Sequence, residues 1–303
     1  MPSVIRLPSP LERTIAATAM SLLHPEGRRA VDFARPLGEE ALVPPDSVTW
    51  RVFKNPIALF VGGVAAVILE LAEPGVRAGV WEHSSFRQNP LGRLKRTAQA
   101  AMVTVYAPRS VSQPMIAGVV RMHARVHGET SGGVRYSASD ASLLGWVQAT
   151  ATFGFGEAYS RYVRPLSRRE FDALYLEATP ASRLYGAVQA PTSYAEVSAL
   201  FDSMRARLEA SPIVLEFLSI MRQTGVLPRV IRWMQPTLVR AAVEILPPWV
   251  RDRLGLTERD GLRLADRGLI RFAALAAERV VLKECPASQA CLRLGLPANY
   301  LYA

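Results

Sequence analysis

Asn89-Pro90-Leu91-Gly92-Arg93-Leu94-Lys95-Arg96-Thr97 opens a stretch that runs through small and apolar residues to Tyr106. The stretch breaks at Ala107-Pro108 and closes on His123-Ala124-Arg125-Val126-His127-Gly128. Pro90 suits the first position of a helix, where its missing N–H is not needed, and Pro108 stops that helix. A second helix is expected over residues 111–127, with Gly128 as its terminator. Arg93 and Thr97 are four apart and so share one helix face. Helices joined by a short link tend to pack antiparallel. The reading is of two neighbouring helices that bring a basic, hydroxyl-bearing face near the imidazole of His123 inside a bundle.

The flanking chain has the same helical character. Ile57 to Ala72 is sixteen residues, apolar except for Glu70, and contains Gly62-Gly63. A bilayer needs roughly twenty residues, so this reads as a central helix buried on all sides. The glycine pair would let a neighbouring helix or a flat ligand come close. Asp46-Ser47 starts a helix before it, and Pro74 starts a segment after it, to His83. Ser137 to Asp140 caps a long helix that ends before Pro165, and Ser167 with Glu170 forms a capping box for a helix to Thr179. Further helices are expected over 193–210, 211–221, 228–246 and 249–254. Thr257 with Asp260 is expected to cap a last long helix to Val281. The sequence offers no strand-like alternation between hairpin turns and no repeat of fixed period. The expectation is an all-α, single-domain, multi-helix bundle over residues 46–303. Residues 1–45, proline-rich and with one helix from Pro10 to Leu23, form an extension packed on it.

The chain has 303 residues, half of them hydrophobic, enough to bury a sizeable core. Its formal charge of +10 is carried by arginine, since Lys54, Lys95 and Lys283 are the only lysines. A GC-rich genome writes arginine in this way; the functional alternative is attraction to anionic lipid or to acidic groups on a cofactor. Nucleic acid is disfavoured as a partner, because the arginines are dispersed and no helix-turn-helix, zinc-finger or RNA-binding signature occurs. Cys285 and Cys291 read as reduced structural thiols of a cytoplasmic protein. The opening residues lack a secretory pattern. The apolar run is too short for an inserted helix, so membrane contact is expected to be peripheral, electrostatic and weakened by salt.

Phosphate-loop, zinc-protease and serine-hydrolase motifs are absent. The histidines are His24, His83, His123 and His127. His123 and His127 have a spacing that chelates a metal on a helix, yet no carboxylate of matching spacing accompanies them, and His127 beside Gly128 reads equally as a helix-end cap. A single axial histidine for a haem asks only for one imidazole and an apolar slot. Haem propionates are anionic, and Arg93, Arg96, Arg121 and Arg125 are candidates to pair with them. On residues alone, a lone histidine on an apolar face also reads as a satisfied core residue, and each arginine as a solvated helix face.

A longer series of motifs carries a resemblance. It comprises Leu71-Ala72-Glu73-Pro74, Glu82-His83-Ser84-Ser85-Phe86, the Asn89–Thr97 and His123–Gly128 runs, Tyr136-Ser137-Ala138-Ser139-Asp140 and Trp146-Val147-Gln148-Ala149-Thr150. In order and spacing, over about residues 50–250, these resemble the MpaB and rubber-oxygenase family, whose best-known member is latex clearing protein. The resemblance implies an all-α fold holding haem b, which cleaves a C=C bond of a polyisoprenoid with O2 to give carbonyl products. It makes His123 the proximal iron ligand. It places Arg93 and Thr97 in the distal pocket, with Arg96 standing where the latex enzyme has lysine.

The chain departs from that pattern at two positions. Many relatives carry histidine where this chain has Glu73, and histidine where it has Gln148. Glutamine cannot act as an imidazole acid, base or ligand. Two functions therefore stay open: a haem-dependent oxygenase acting on a hydrophobic, isoprenoid or lipid-like substrate, and a non-catalytic helical protein that binds a hydrophobic ligand.

Overall fold

The computed structural model describes residues 30–302, together with residues 17, 20, 21, 23, 24 and 27. The helix expected over Pro10–Leu23 lies, but for isolated positions, outside the described residues. The helices are α1 (Val48–Phe53), α2 (Pro56–Ala72), α3 (Pro74–His83), α4 (Pro90–Tyr106), α5 (Arg109–His123), α6 (Ala141–Tyr162), α7 (Arg168–Glu177) and α8 (Thr179–Tyr185). They continue with α9 (Tyr194–Met204), α10 (Pro212–Gln223), α11 (Gln235–Glu244), α12 (Pro248–Arg253), α13 (Leu264–Ala277) and α14 (Pro286–Arg293). Strands β1 (His127–Glu129) and β2 (Arg135–Ser137) form one antiparallel hairpin, with Gly128 opposite Tyr136.

The bundle is built on α2. Asn55 caps it by accepting hydrogen bonds from the Ile57 and Ala58 N–H groups at 3.1 Å, and its Nδ2 donates to the carbonyl of Ala274 on α13. The apolar run is therefore an interior helix. Helix α6 lies directly against it, and α10, α11 and α13 pack around it. A Cβ placed on Gly62 would sit 2.7 Å from the Gly154 carbonyl oxygen, so the α2–α6 crossing admits no side chain there. The expected role of the glycine pair divides: Gly62 serves helix contact, while a Cβ on Gly63 would meet only the Phe155 ring at 3.7 Å.

Glu73 ends α2 and starts α3, and the two helices meet at an angle of 109°. Among the described residues no single helix is long and apolar enough to cross a membrane; only this bent pair matches by length and composition. Phe33, Ala41 and Val43 join Trp50, Tyr106 and Cys291 in a second core, which fastens the segment before α1 to α4 and α14. Both cysteines are free thiols.

Three expectations need correcting. The helix placed at 111–127 runs from Arg109 to His123, and His127 lies in a strand. The cause is the turn at Thr130-Ser131-Gly132-Gly133, where Gly133 has φ +77° and the two short strands close around it. Thr257 and Asp260 do bond, with the Asp260 carboxylate accepting from the Thr257 N–H and hydroxyl at 3.2 Å, but this is a local turn. Helix α13 begins later, after Arg263. The segment over 228–246 divides into a 3-10 turn at Arg229–Met234 and α11, because Pro236 restarts the helix.

Candidate functional site

Helix α4 carries Arg93 and Thr97 where the sequence placed them. Asn89 caps it, accepting from the Gly92 N–H at 2.8 Å, and the four-residue spacing turns both side chains to one face. The Arg93 guanidinium donates to Thr97 Oγ1, and that hydroxyl donates back to the Arg93 carbonyl at 3.0 Å. Arg96 points elsewhere. Its guanidinium donates to Ser85 Oγ at 2.6 Å and ties the α3–α4 link to α4.

Arg93 is the hub of a small electrostatic cluster. Burial lowers its pKa, the charge of Glu70 works against that, and Arg96 adds to it. Glu70, the lone carboxylate of α2, is pushed up to about 7 by burial despite the attraction of Arg93. Burial, and then the positive charge of Arg93, pull His123 below the usual histidine range. Its imidazole is therefore neutral at neutral pH, and its Nδ1 is buried without a hydrogen-bond partner. A neutral ring with an unbonded nitrogen is the form that ligates a metal. No group of three or more His, Cys, Asp or Glu side chains converges for a metal ion among the described residues.

The helices near this cluster carry half-buried faces. On α2, Gly63, Val67 and Glu70 follow one another at helical spacing and are only half-buried, as are Gln148, Ala151 and Phe155 on α6. Among the described residues, neither α4 nor α5 packs closely against α2 or α6; the two pack on each other, and α5 packs on α8. Two shallow cavities of about 220 and 270 Å³ lie elsewhere, near the α2–α3 bend; they share Ser142, Leu143 and Arg207, and neither is lined by Arg93, Thr97 or His123.

The structure brings Arg93, Thr97 and His123 into one region, with the charge of Arg96 acting on Arg93. Arg121, in the last turn of α5, and Arg125, beyond it, are exposed and make no hydrogen bond or ion pair among the described residues. His127 has left the helix, so no two-histidine chelate forms. Sequence reading missed Glu70 as a site residue, although a lone carboxylate in an apolar helix needs a charged or hydrogen-bonding partner. It also missed His83, whose Nε2 lies 3.1 Å from Tyr136 Oη and pins the hairpin to α3.

The two departures have structural occupations. The Glu73 carboxylate is buried, accepts from the Val76 N–H at 2.7 Å and pairs with Arg207 at 2.8 Å. Gln148 donates to Thr152 Oγ1, one turn on in α6, at 3.3 Å.

A family model described as ER-bound oxygenase mpaB/B'/Rubber oxygenase, catalytic domain, matches residues 50–278. Neither the curated proteins nor the solved structures include a significant match to the chain. The matched span runs from α1 to the end of α13 and contains the whole Glu70–Arg93–His123 cluster.

Proposed function

Since the chain belongs to the mpaB and rubber oxygenase family, we propose that it is a haem b-dependent oxygenase acting with O2 on a hydrophobic, polyisoprenoid or lipid-like substrate. The observation that carries the reading is His123, neutral and with a buried, unpartnered ring nitrogen beside Arg93. His123 would hold the iron, and haem when bound would supply the site of O2 activation. Arg93, bonded to Thr97, would offer guanidinium N–H groups and positive charge to an anionic oxygen species. Glu70 balances that charge from α2. Val67 on α2, with Ala151 and Phe155 on α6, adds half-buried apolar surface that favours a hydrocarbon chain. In oxidative C=C cleavage both oxygen atoms of O2 enter the two carbonyl products, so the reaction balances without a reductant.

The absorption spectrum tests this. Protein expressed with a haem precursor should show a Soret band, His123→Ala should lose it, and His127→Ala should keep it. Wild-type protein without a Soret band sinks the reading. A second reading, a non-catalytic binding protein for a hydrophobic ligand, is favoured by one observation: the carboxyl of Glu73 is wholly engaged in the α2–α3 corner. For haem-loaded protein, O2 uptake with a polyprenyl test substrate separates the two, since the binding protein consumes none.

A further inference from the structure

Helix α13 is apolar on two opposite faces. Its inward face, with Ile270 and Ala274 fully buried, packs on α2, α6 and α11. The outward face carries Leu264 at 78% and Phe272 at 72% exposure, with Ala265 and Gly268 exposed on the same side. A Cβ on Gly268 would meet nothing within 4 Å, so that face is open. Helices apolar all round are normally covered all round.

Arginines surround the open face. Arg263, Arg271 and Arg279 are exposed and have no ion-pair or hydrogen-bond partner among the described residues. The carboxylates of this element turn away: Asp266 is half-buried, and Glu278 is held by Lys54, Asn55 and Tyr159.

We propose that this face docks the protein onto an anionic lipid surface, with Phe272 and Leu264 entering the interface and Arg263, Arg271 and Arg279 meeting the headgroups. Exposed aromatic and aliphatic side chains beside unpaired arginines are what an interfacial helix requires. A second copy of the chain fits poorly, since it would set these arginines against their own images on a protein of net charge +10. The proposal concerns a surface independent of the haem reading, and its test needs no cofactor.

The full chain is floated with vesicles of phosphatidylcholine containing phosphatidylglycerol, and with pure phosphatidylcholine. Binding is expected to the anionic vesicles only and to fall as salt rises. The double variant Leu264→Ser, Phe272→Ser should lower partitioning by about tenfold or more, and Arg263→Glu with Arg271→Glu should abolish it. Both variants should keep the wild-type unfolding midpoint, because the altered side chains are exposed. Equal binding to neutral vesicles, or unchanged binding by the variants, overturns the proposal. So does a solution dimer that fails to bind vesicles and is split by the serine variant, which would make a second copy the occupant.

Discussion

Glu73 has a structural occupation at the α2–α3 corner. Its buried carboxylate caps α3 and pairs with Arg207, whose side chain is 49% exposed. The cap is the larger contribution, because an exposed ion-pair partner is worth little. Glu73→Ala should therefore cost about 1–2 kcal/mol in urea unfolding, and Arg207→Ala clearly less; equal losses would place the stabilisation in the ion pair instead. Glu157 behaves differently. Burial lifts it from 4.5 to about 7 against the attraction of Arg161, and Tyr175 and Tyr194 both feel its charge. Between those two values the folded state holds more protons than the unfolded state, so stability falls as pH rises through that window and levels off above it. Glu70 adds a second share of the same sign. Wild-type protein should thus lose stability between about pH 5 and about pH 8, and Glu157→Gln should lose less. Urea midpoints at the two pH values measure it, and an equal loss in the variant would remove Glu157 as a cause.

Elements that rest on local chemistry were legible in the sequence, and those that rest on distant contacts were not. The capping box of Ser167 and Glu170, the Asn89-Pro90 start of α4 and the length of α2 are each written within a few residues, and each lies where the sequence put it. The hairpin was missed because three-residue strands are too short to show an alternation, and what fixes them is Tyr136 meeting His83 and Gly128 across the chain. For the site, Arg93 with Thr97 is a helix spacing and could be read. His123 could be read as an imidazole near that face, while its role as an iron ligand came through the family resemblance, and Glu70 acquires its meaning from Arg93 on another helix. The glycines make the same point at the α2–α6 crossing. Gly62→Ala would drive a Cβ to 2.7 Å from the Gly154 carbonyl, and should cost about 1–3 kcal/mol by overpacking. Gly63→Ala meets only ordinary contact with Phe155, and helix propensity favours it by up to about 1 kcal/mol. Thermal unfolding of the pair measures the difference, and similar melting temperatures would contradict the close approach.

Across the molecule, the second core is fastened by one arginine. Arg293 on α14 is 1% exposed, yet among the described residues no acidic side chain pairs with it directly. It donates instead to three backbone carbonyls: Glu39 at 2.7 Å, Phe33 at 2.6 Å and Tyr106 at 2.9 Å. Its own carbonyl accepts from the Gly38 N–H at 2.7 Å. Burial lowers its pKa, while the negative charge of Glu39 works in the opposite direction. One planar fork thereby joins the segment before α1, the end of α4 and the C-terminal helix, and completes hydrogen bonds that an apolar core could not supply. Lysine could not replace it, since a single ammonium lacks the span of the fork. Arg293→Met keeps much of the volume but leaves three carbonyls without their donor, and should cost about 3 kcal/mol or more. The loss should also be local in its early stage. Amide hydrogen exchange over residues 31–43 should speed up well before the α2–α6 core opens, because that segment's remaining contacts are mainly to the second core. Unchanged protection there, with a falling unfolding midpoint, would mean that Arg293 supports α14 alone and that Phe33, Ala41 and Val43 hold the segment through packing.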